Sequence, residues 1–272
     1  GALPELVELY RQRLENVYDT ALLRSLHLNV AVLLEERLGD DAGAAGHFRA
    51  ALDCGGDELP ALRALDRIYE RQHLLDELLE VLQRQVQLLD EPLRQAELFH
   101  RAAVIQLDAG NLDGAFAALR ESLDRAGGHA AARQTAERLL ASDLYRVPVL
   151  DLLEPLAEGS GEWAKLIELL EIRLTTLVDP RERSLLLQRI AELHETRLGA
   201  KEAALSALGR AIAEDPGQSE VLDIAERLAG ELSRFRSAHA AAIATMPTHP
   251  TPGAGASASA TLSTTPKPPR SL

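Results

Sequence analysis

Three stretches of the chain are copies of one another, and that repetition limits the fold more than any single residue does. When Gly39, Gly110 and Gly199 are superposed without a gap, Arg13, Arg84 and Arg173 coincide. So do Asp19, Asp90 and Asp179, and Ala31, Ala102 and Ala191. Past the glycine, Ala44 falls on Ala115 and Ala204, Phe48 on Leu119 and Leu208, and Ala51 on Ser122 and Ala211. The spacings are 71 residues (39 to 110) and 89 residues (110 to 199). Self-similarity at a fixed offset marks stacked repeats, in which each unit buries its apolar face only against its neighbours. Such a fold presents a long surface and leaves the partner unnamed.

The repeated unit is helical. Hydrophobic residues make up 46% of the chain but aromatics only 3%, and much of the remainder is Leu and Ala, both strong helix formers. Runs of the β-branched and aromatic residues that strands favour are missing. Apolar residues recur at helical spacing, as in WAKLIELLEIRL at 163–174. Pro4, Pro92 and Pro180 sit where helices begin, with Asp179 and Asp90 as cap candidates. Gly39, Gly110 and Gly199 suit the left-handed position just past a helix end.

These signals predict helices over 4–17, 20–38, 41–53, 59–71, 75–89, 92–108, 112–125, 129–142, 146–158, 162–178, 180–198, 201–214, 219–229 and 231–244. Short connections make consecutive helices antiparallel neighbours. A spacing of 71 is then two hairpins. The spacing of 89 exceeds it by 18, one helix and a turn. VLDLLEPL at 149–156 matches ALRALDRI at 61–68 in pattern, which leaves 129–142 as the extra helix.

Residues 246–272 stand apart. The run PTHPTPGAGASASATLSTTPKPPRSL after Met246 cannot bury enough apolar surface to offset chain entropy. It is expected to be a disordered tail or linker, with a repeat domain over 1–245. A polyproline-type ligand around Pro266 to Pro269 is its functional alternative.

The two-helix units around the matched glycines resemble the tetratricopeptide repeat, a helix–turn–helix of about 34 residues. The clearest unit is IAELHETRLGAKEAALSALGRAIAEDP at 190–216. Ala191 matches the small residue of the repeat's first helix, Gly199 the turn, and Ala204 and Ala211 the small residues of the second. Leu208 matches the large apolar residue between them and Pro216 the closing proline. The first helix of units one and three is one residue longer before the glycine. The divergent, Leu-rich style is similar to that of large bacterial repeat proteins. The resemblance implies an all-α, right-handed solenoid of antiparallel helical hairpins that acts as a protein-binding scaffold.

The sequence carries little reactive chemistry. His194-Glu195 opens an HExxH pattern, but Leu198 stands where its second histidine would be, and one His and one Glu do not hold zinc. Gly159-Ser160-Gly161 lacks the nucleophile-elbow pattern and lies between helices. No phosphate-binding loop is present. Cys54, the only cysteine, sits between Asp53 and Asp57, the opposite of a thiolate-stabilising neighbourhood. No metal, cofactor or catalytic set is expected, and the chain is not expected to be an enzyme.

Partners follow from charge and from the first helices. The net charge is −13 and the segment after Met246 contributes +2, so the rest carries −15. An acidic surface repels phosphate backbones, which argues against nucleic acid. No apolar run is long enough to insert in a membrane. In some repeat relatives the first helices clamp a peptide carboxylate with cations. Here those stretches offer His27, Asn29, His100, Gln106, Gln188 and Glu192, with few cations aimed one way. The expected partner is therefore a protein or peptide, basic or amphipathic, held in a concave groove by those six residues. A regulatory repeat domain of a larger multidomain signalling protein is the alternative. One cysteine and no signal peptide fit a cytoplasmic setting, while a start at Gly1 rather than Met leaves room for a longer parent chain.

Overall fold

A computed structural model describes residues 2–244; the expected tail at 246–272 lies outside them. The described residues form helices and no strand. The elements are α1 (Ala2–Leu14), α2 (Thr20–Leu33, continued by a π-helical turn over Leu34–Leu38), α3 (Asp41–Asp53), α4 (Leu59–Gln72), α5 (Leu75–Gln87), α6 (Pro92–Asp108) and α7 (Leu112–Arg125). Then come α8 (Ala130–Arg138, with a 3₁₀ turn over Leu139–Ala141), α9 (Asp143–Ser160), α10 (Trp163–Leu174), α11 (Pro180–Thr196), α12 (Lys201–Glu214) and α13 (Ser219–Ala244). Contacts run between consecutive helices, so the chain is an α-solenoid of stacked hairpins. The hairpins pair α2 with α3, α4 with α5, α6 with α7, α9 with α10 and α11 with α12. Between the hairpins, helix α8 is the one left over, as the 18-residue surplus requires; α1 and α13 flank the array.

Several predicted boundaries differ: α9 begins at Asp143 rather than 146, and α10 ends at Leu174 rather than 178. The expected helices 219–229 and 231–244 are one helix, α13, which runs through Gly230. A mid-helix glycine costs only about 1 kcal/mol against alanine, too little to break a helix that packs on its neighbour. The first helix ends at Leu14 rather than 17.

The one-residue surplus in units one and three becomes a wider helix end. In unit two the closing bond is Asn111 N–H to Gln106 C=O, five residues back. In unit one it is Asp40 N–H to Leu34 C=O, and in unit three Ala200 N–H to His194 C=O, both six back. In unit one the extra residue widens the turn over Leu34–Leu38 into a π-turn. The gapless register therefore slips by one within the first helix. The aspartates at 19 and 179 cap their helices, but at α6 the cap position is Glu91, not Asp90. Likewise Ala103, fully buried, is the counterpart of Ala31 and Ala191, and Ala102 is only half-buried.

The turn positions agree with backbone chemistry. Gly39, Gly110 and Gly199 have φ of 66°, 77° and 63°. In the intervening hairpins Gly161 and His73 fill the same place, at 72° and 54°, so α4 ends on the only non-glycine of positive φ among the described residues.

Small residues set the helix spacing. Ala44, Ala115 and Ala204 are completely buried, as is Ala211. Leu119 and Leu208 fill the space between them. The core divides into two apolar clusters, one from Val7 to Leu82 and one from Ala103 to Leu228, with Ala102 of α6 touching both.

Candidate partner-binding groove

The first helices of the hairpins, α2, α4, α6, α9 and α11, and the last helix, α13, carry a ladder of ion pairs. Arg67 and Arg71 of α4 reach back to Glu35 after α2, at 3.3 and 3.1 Å. Arg101 of α6 reaches Asp66 and Glu70 of α4, at 2.7 and 3.0 Å. Arg189 of α11 reaches Glu158 of α9 at 3.0 Å, and Arg227 of α13 reaches Glu195 of α11 at 2.9 Å. Each arginine meets an acid on the preceding first helix, so the ladder binds neighbour to neighbour. These five arginines are thereby committed.

The rungs differ in burial. Asp66 keeps only 12% of its side chain in water and also accepts from Gln85 Nε2 at 3.1 Å. Glu158 and Arg189 are about half exposed, which leaves little net stabilisation. The ladder breaks between α6 and α9, where α8 intervenes.

The six residues expected to hold a partner fall into separate places. His27 of α2 faces His47 of α3, Nδ1 to Nδ1 at 2.9 Å, inside a hairpin. Burial lowers the pKa of His27. It lowers that of His47 too, with help from His27 and Arg11 and against Asp40. Such a bond needs one bare nitrogen, so the pair is not doubly protonated. His100 of α6 meets Thr135 of α8 at 2.9 Å. Gln106 accepts from Asn111 Nδ2 at 2.9 Å and lies over Gly114, where a Cβ would strike it. Asn29 is exposed on α2.

Only Gln188 and Glu192 come together. They lie one above the other on α11 and line a cavity of about 490 Å³ against α13, floored by Ala191 and Leu208. Gln188 donates to Ser184 Oγ at 3.3 Å and to Gln218 Oε1 at 2.7 Å, which ties α11 to the turn before α13. Glu192 is exposed and has no ion-pair partner among the described residues. Leu185 and Ile224, 61% and 39% exposed, flank the cavity, with Arg189 and Arg227 beside them. Leu185 and Ile224 were missed by sequence reasoning. Leu185 sits three residues before Gln188 on the same face, and that spacing was the available signal.

A second groove of about 510 Å³ lies between α5, α6 and α7. Leu82, Val86 and Ala118 form its floor, and Arg125 stacks 5.4 Å from the Phe99 centroid at its edge. Trp163 lies half-buried against the second apolar cluster with Arg197 at 4.5 Å over its ring. Ser160 ends α9 and donates to Leu156 C=O at 2.7 Å, and Gly161 makes the turn.

Among the described residues no three His, Cys, Asp or Glu side chains converge as metal ligands, and no helix is long and apolar enough to cross a membrane.

No family model matches the chain, and no curated protein matches it. Solved structures of similar fold include a tetratricopeptide repeat protein from Parabacteroides merdae, 13% identical, covering 83% of this chain and 92% of that one with a TM-score of 0.37. A TPR repeats protein from Bacteroides fragilis is 16% identical, covering 84% and 91%, with a TM-score of 0.37. YrrB, described as a TPR protein with an unusual peptide-binding site, is 14% identical, covering 81% and 99%, with a TM-score of 0.33. Superpositions this loose bear on neither partner nor function. The tetratricopeptide-like character rests on the chain's own hairpins, turn residues and buried alanines.

Proposed function

We propose that the chain is a noncatalytic protein-interaction scaffold that holds a basic, amphipathic partner segment across its first-helix face, in the groove between α11 and α13. One observation carries this reading. The groove joins an apolar rim, Leu185 and Ile224, to a carboxylate, Glu192, that lacks an ion-pair partner, while both flanking arginines are already paired. An aliphatic side chain of the partner would cover the rim, and a neighbouring Lys or Arg would meet Glu192. Charge at a rim governs association rate more than affinity, and salt screens it over about 8–10 Å.

The test is a pull-down with the whole 272-residue chain, followed by association kinetics of the recovered partner. Association should slow as salt rises. Glu192→Lys should slow it further and leave the helical signal intact, because Glu192 lies on the surface. A partner indifferent both to salt and to Glu192→Lys removes this groove from the account.

A further inference from the structure

Helices α1 and α13 are copies of the two halves of one hairpin, in the wrong order. LVELYRQRL at 6–14 of α1 repeats LIELLEIRL at 166–174 of α10, an offset of 160 (166 minus 6). VLDIAERLA at 221–229 of α13 repeats VLDLLEPLA at 149–157 of α9, an offset of 72 (221 minus 149). Helices α9 and α10 pack together as first and second helix of a hairpin. Among the described residues α1 is therefore a second helix with no first helix before it. Likewise α13 is a first helix with no second helix after it.

In α9–α10 the matching residues are covered; at the two ends they are open. Leu150 of α9 and Leu166 and Leu169 of α10 are 0%, 0% and 1% exposed. Their counterparts Leu222, Leu6 and Leu9 are 40%, 38% and 65% exposed. Ala157 is buried and its counterpart Ala229 is exposed. The charges follow the same pattern. Arg173 of α10 binds Asp151 and Glu154 of α9, each at 2.6 Å. Arg13, Asp223 and Glu226 occupy those three positions, all exposed and without an ion pair among the described residues. Beside Ala229 a cavity of about 630 Å³ opens between α12 and α13, with Leu205 and Leu232 in its walls.

We propose that copies of the chain stack head to tail, α1 of one copy on α13 of the next, and so complete between two molecules the hairpin that α9 and α10 form within one. Leu6 and Leu9 cover Leu222 and Ala229, and Arg13 takes Asp223 and Glu226. The apolar stripes and the charges are complementary between the two ends and not within either one, since α1 offers the cation and α13 the carboxylates. Eleven helices separate α1 from α13, and contacts run between consecutive helices, so the two ends of one stack do not meet each other. A contact between two different surfaces leaves one of each unused, and the series grows until it closes into a ring or continues as an open array. The stack leaves the groove against α11 open. Ile224, two residues from Leu222, lies on the other side of α13, because two residues turn a helix by about 200°.

The experiment is sedimentation equilibrium of the purified 272-residue chain over a range of concentrations. The apparent mass should rise with concentration and pass that of a dimer. Arg13→Glu sets like charges against each other at the junction and should weaken association about tenfold or more. Asp223→Arg with Glu226→Arg should do the same from the other end. Mixing the two variants restores the wild-type mass. The acidic α1 of the first then meets the basic α13 of the second, and the unchanged Arg13 of the second meets the unchanged carboxylates of the first. All these positions are exposed, so the helical signal should persist in each variant. Should either variant lose it, Leu9→Lys decides, because it must weaken association as well. A wild-type chain that stays monomeric up to about 1 mM overturns the stacking. So does a mass that ignores these substitutions, or a mixture of the charge variants no heavier than either alone.

Discussion

Hairpins α6–α7 and α11–α12 share one skeleton and solve the same problem in opposite ways. At their crossing, unit two places a hydroxyl on the second helix: Ser122 Oγ donates to Ala96 C=O at 2.7 Å. Unit three places it on the first: Ser184 Oγ donates to Ala211 C=O at 3.0 Å. Ser184 is the counterpart of Ala96, and Ala211 of Ser122, once the one-residue slip is allowed for. Each crossing has one alanine and one serine, both buried, with the donor on opposite sides. The same exchange recurs at the hairpin base. Gln95 ties α6 to Leu89 C=O at 2.6 Å, and its counterpart Arg183 ties α11 to Leu174 C=O at 2.8 Å. What the two hairpins share is close helix approach with the buried serine hydroxyl satisfied; which helix supplies the donor is free to vary.

The largest expected effect tests the close approach itself. Ala204→Leu forces a larger side chain into a fully buried crossing and should cost about 1–3 kcal/mol. Ala213→Leu, exposed on the same helix, should cost almost nothing. Thermal melting of the two variants decides; equal tolerance would remove the packing account.

Next in size is the contrast between the two halves of the ladder. Arg101→Ala leaves Asp66 enclosed without its cation. A fully buried pair costs about 3–5 kcal/mol to break. With 32% of the Arg101 side chain in water, about 1–2 kcal/mol is expected. Arg189→Ala, in an exposed rung, should cost under about 1 kcal/mol. Urea unfolding of both variants measures the difference, and parity would mean that the buried rung is no stronger than the exposed one.

The serine exchange gives a smaller, sharper test. Ser122→Ala should cost about 0.5–1.5 kcal/mol. Adding Ala96→Ser, which moves the hydroxyl to the place it occupies in unit three, should recover most of that loss. If the double variant is worse than the single one, the crossings are not interchangeable.

The smallest effect concerns acid. Arg210 hydrogen-bonds Glu171 at 2.6 Å and holds its pKa below the ordinary value, whereas the counterpart of Glu171 in the earlier hairpin is Gln83. A lowered carboxylate pKa means stability present above about pH 4.5 and lost as pH falls through the lowered value. Glu171→Gln should remove a few tenths of a kcal/mol at pH 7 and flatten the acid limb of the stability curve. An unchanged acid limb would show that this pair contributes nothing.

Much of the fold was legible because its determinants are local. Aspartate caps at 19 and 179, glycine turns at 39, 110 and 199, and the alanines at 204 and 211 all act through nearest neighbours along or across one hairpin. The extra helix could be located because residue counts must close. The surplus residue in units one and three was legible, but its consequence, the slip that exchanges Ala102 for Ala103, was not, since where a π-turn and a wide helix end absorb that residue depends on backbone hydrogen bonding. His73 escaped because positive φ is a glycine habit. The candidate site was read least well. Its six residues were chosen by place in the first helix alone. The partner of His100 lies 35 residues away on a helix outside its hairpin, where only the stacked structure brings it, whereas His27 and Gln106 find theirs 20 and 5 residues away within one hairpin.

The account stands or falls on which groove the partner occupies. The direct measurement is site-specific photo-crosslinking of the purified partner to two versions of the chain. One carries the photoreactive residue at Leu185, beside Glu192, and the other at Gln83, in the groove between α5, α6 and α7. The account predicts a cross-link from position 185, weakened by added salt, and none from position 83. A cross-link from position 83 alone would place the partner on the other groove and contradict the first-helix face as the binding surface.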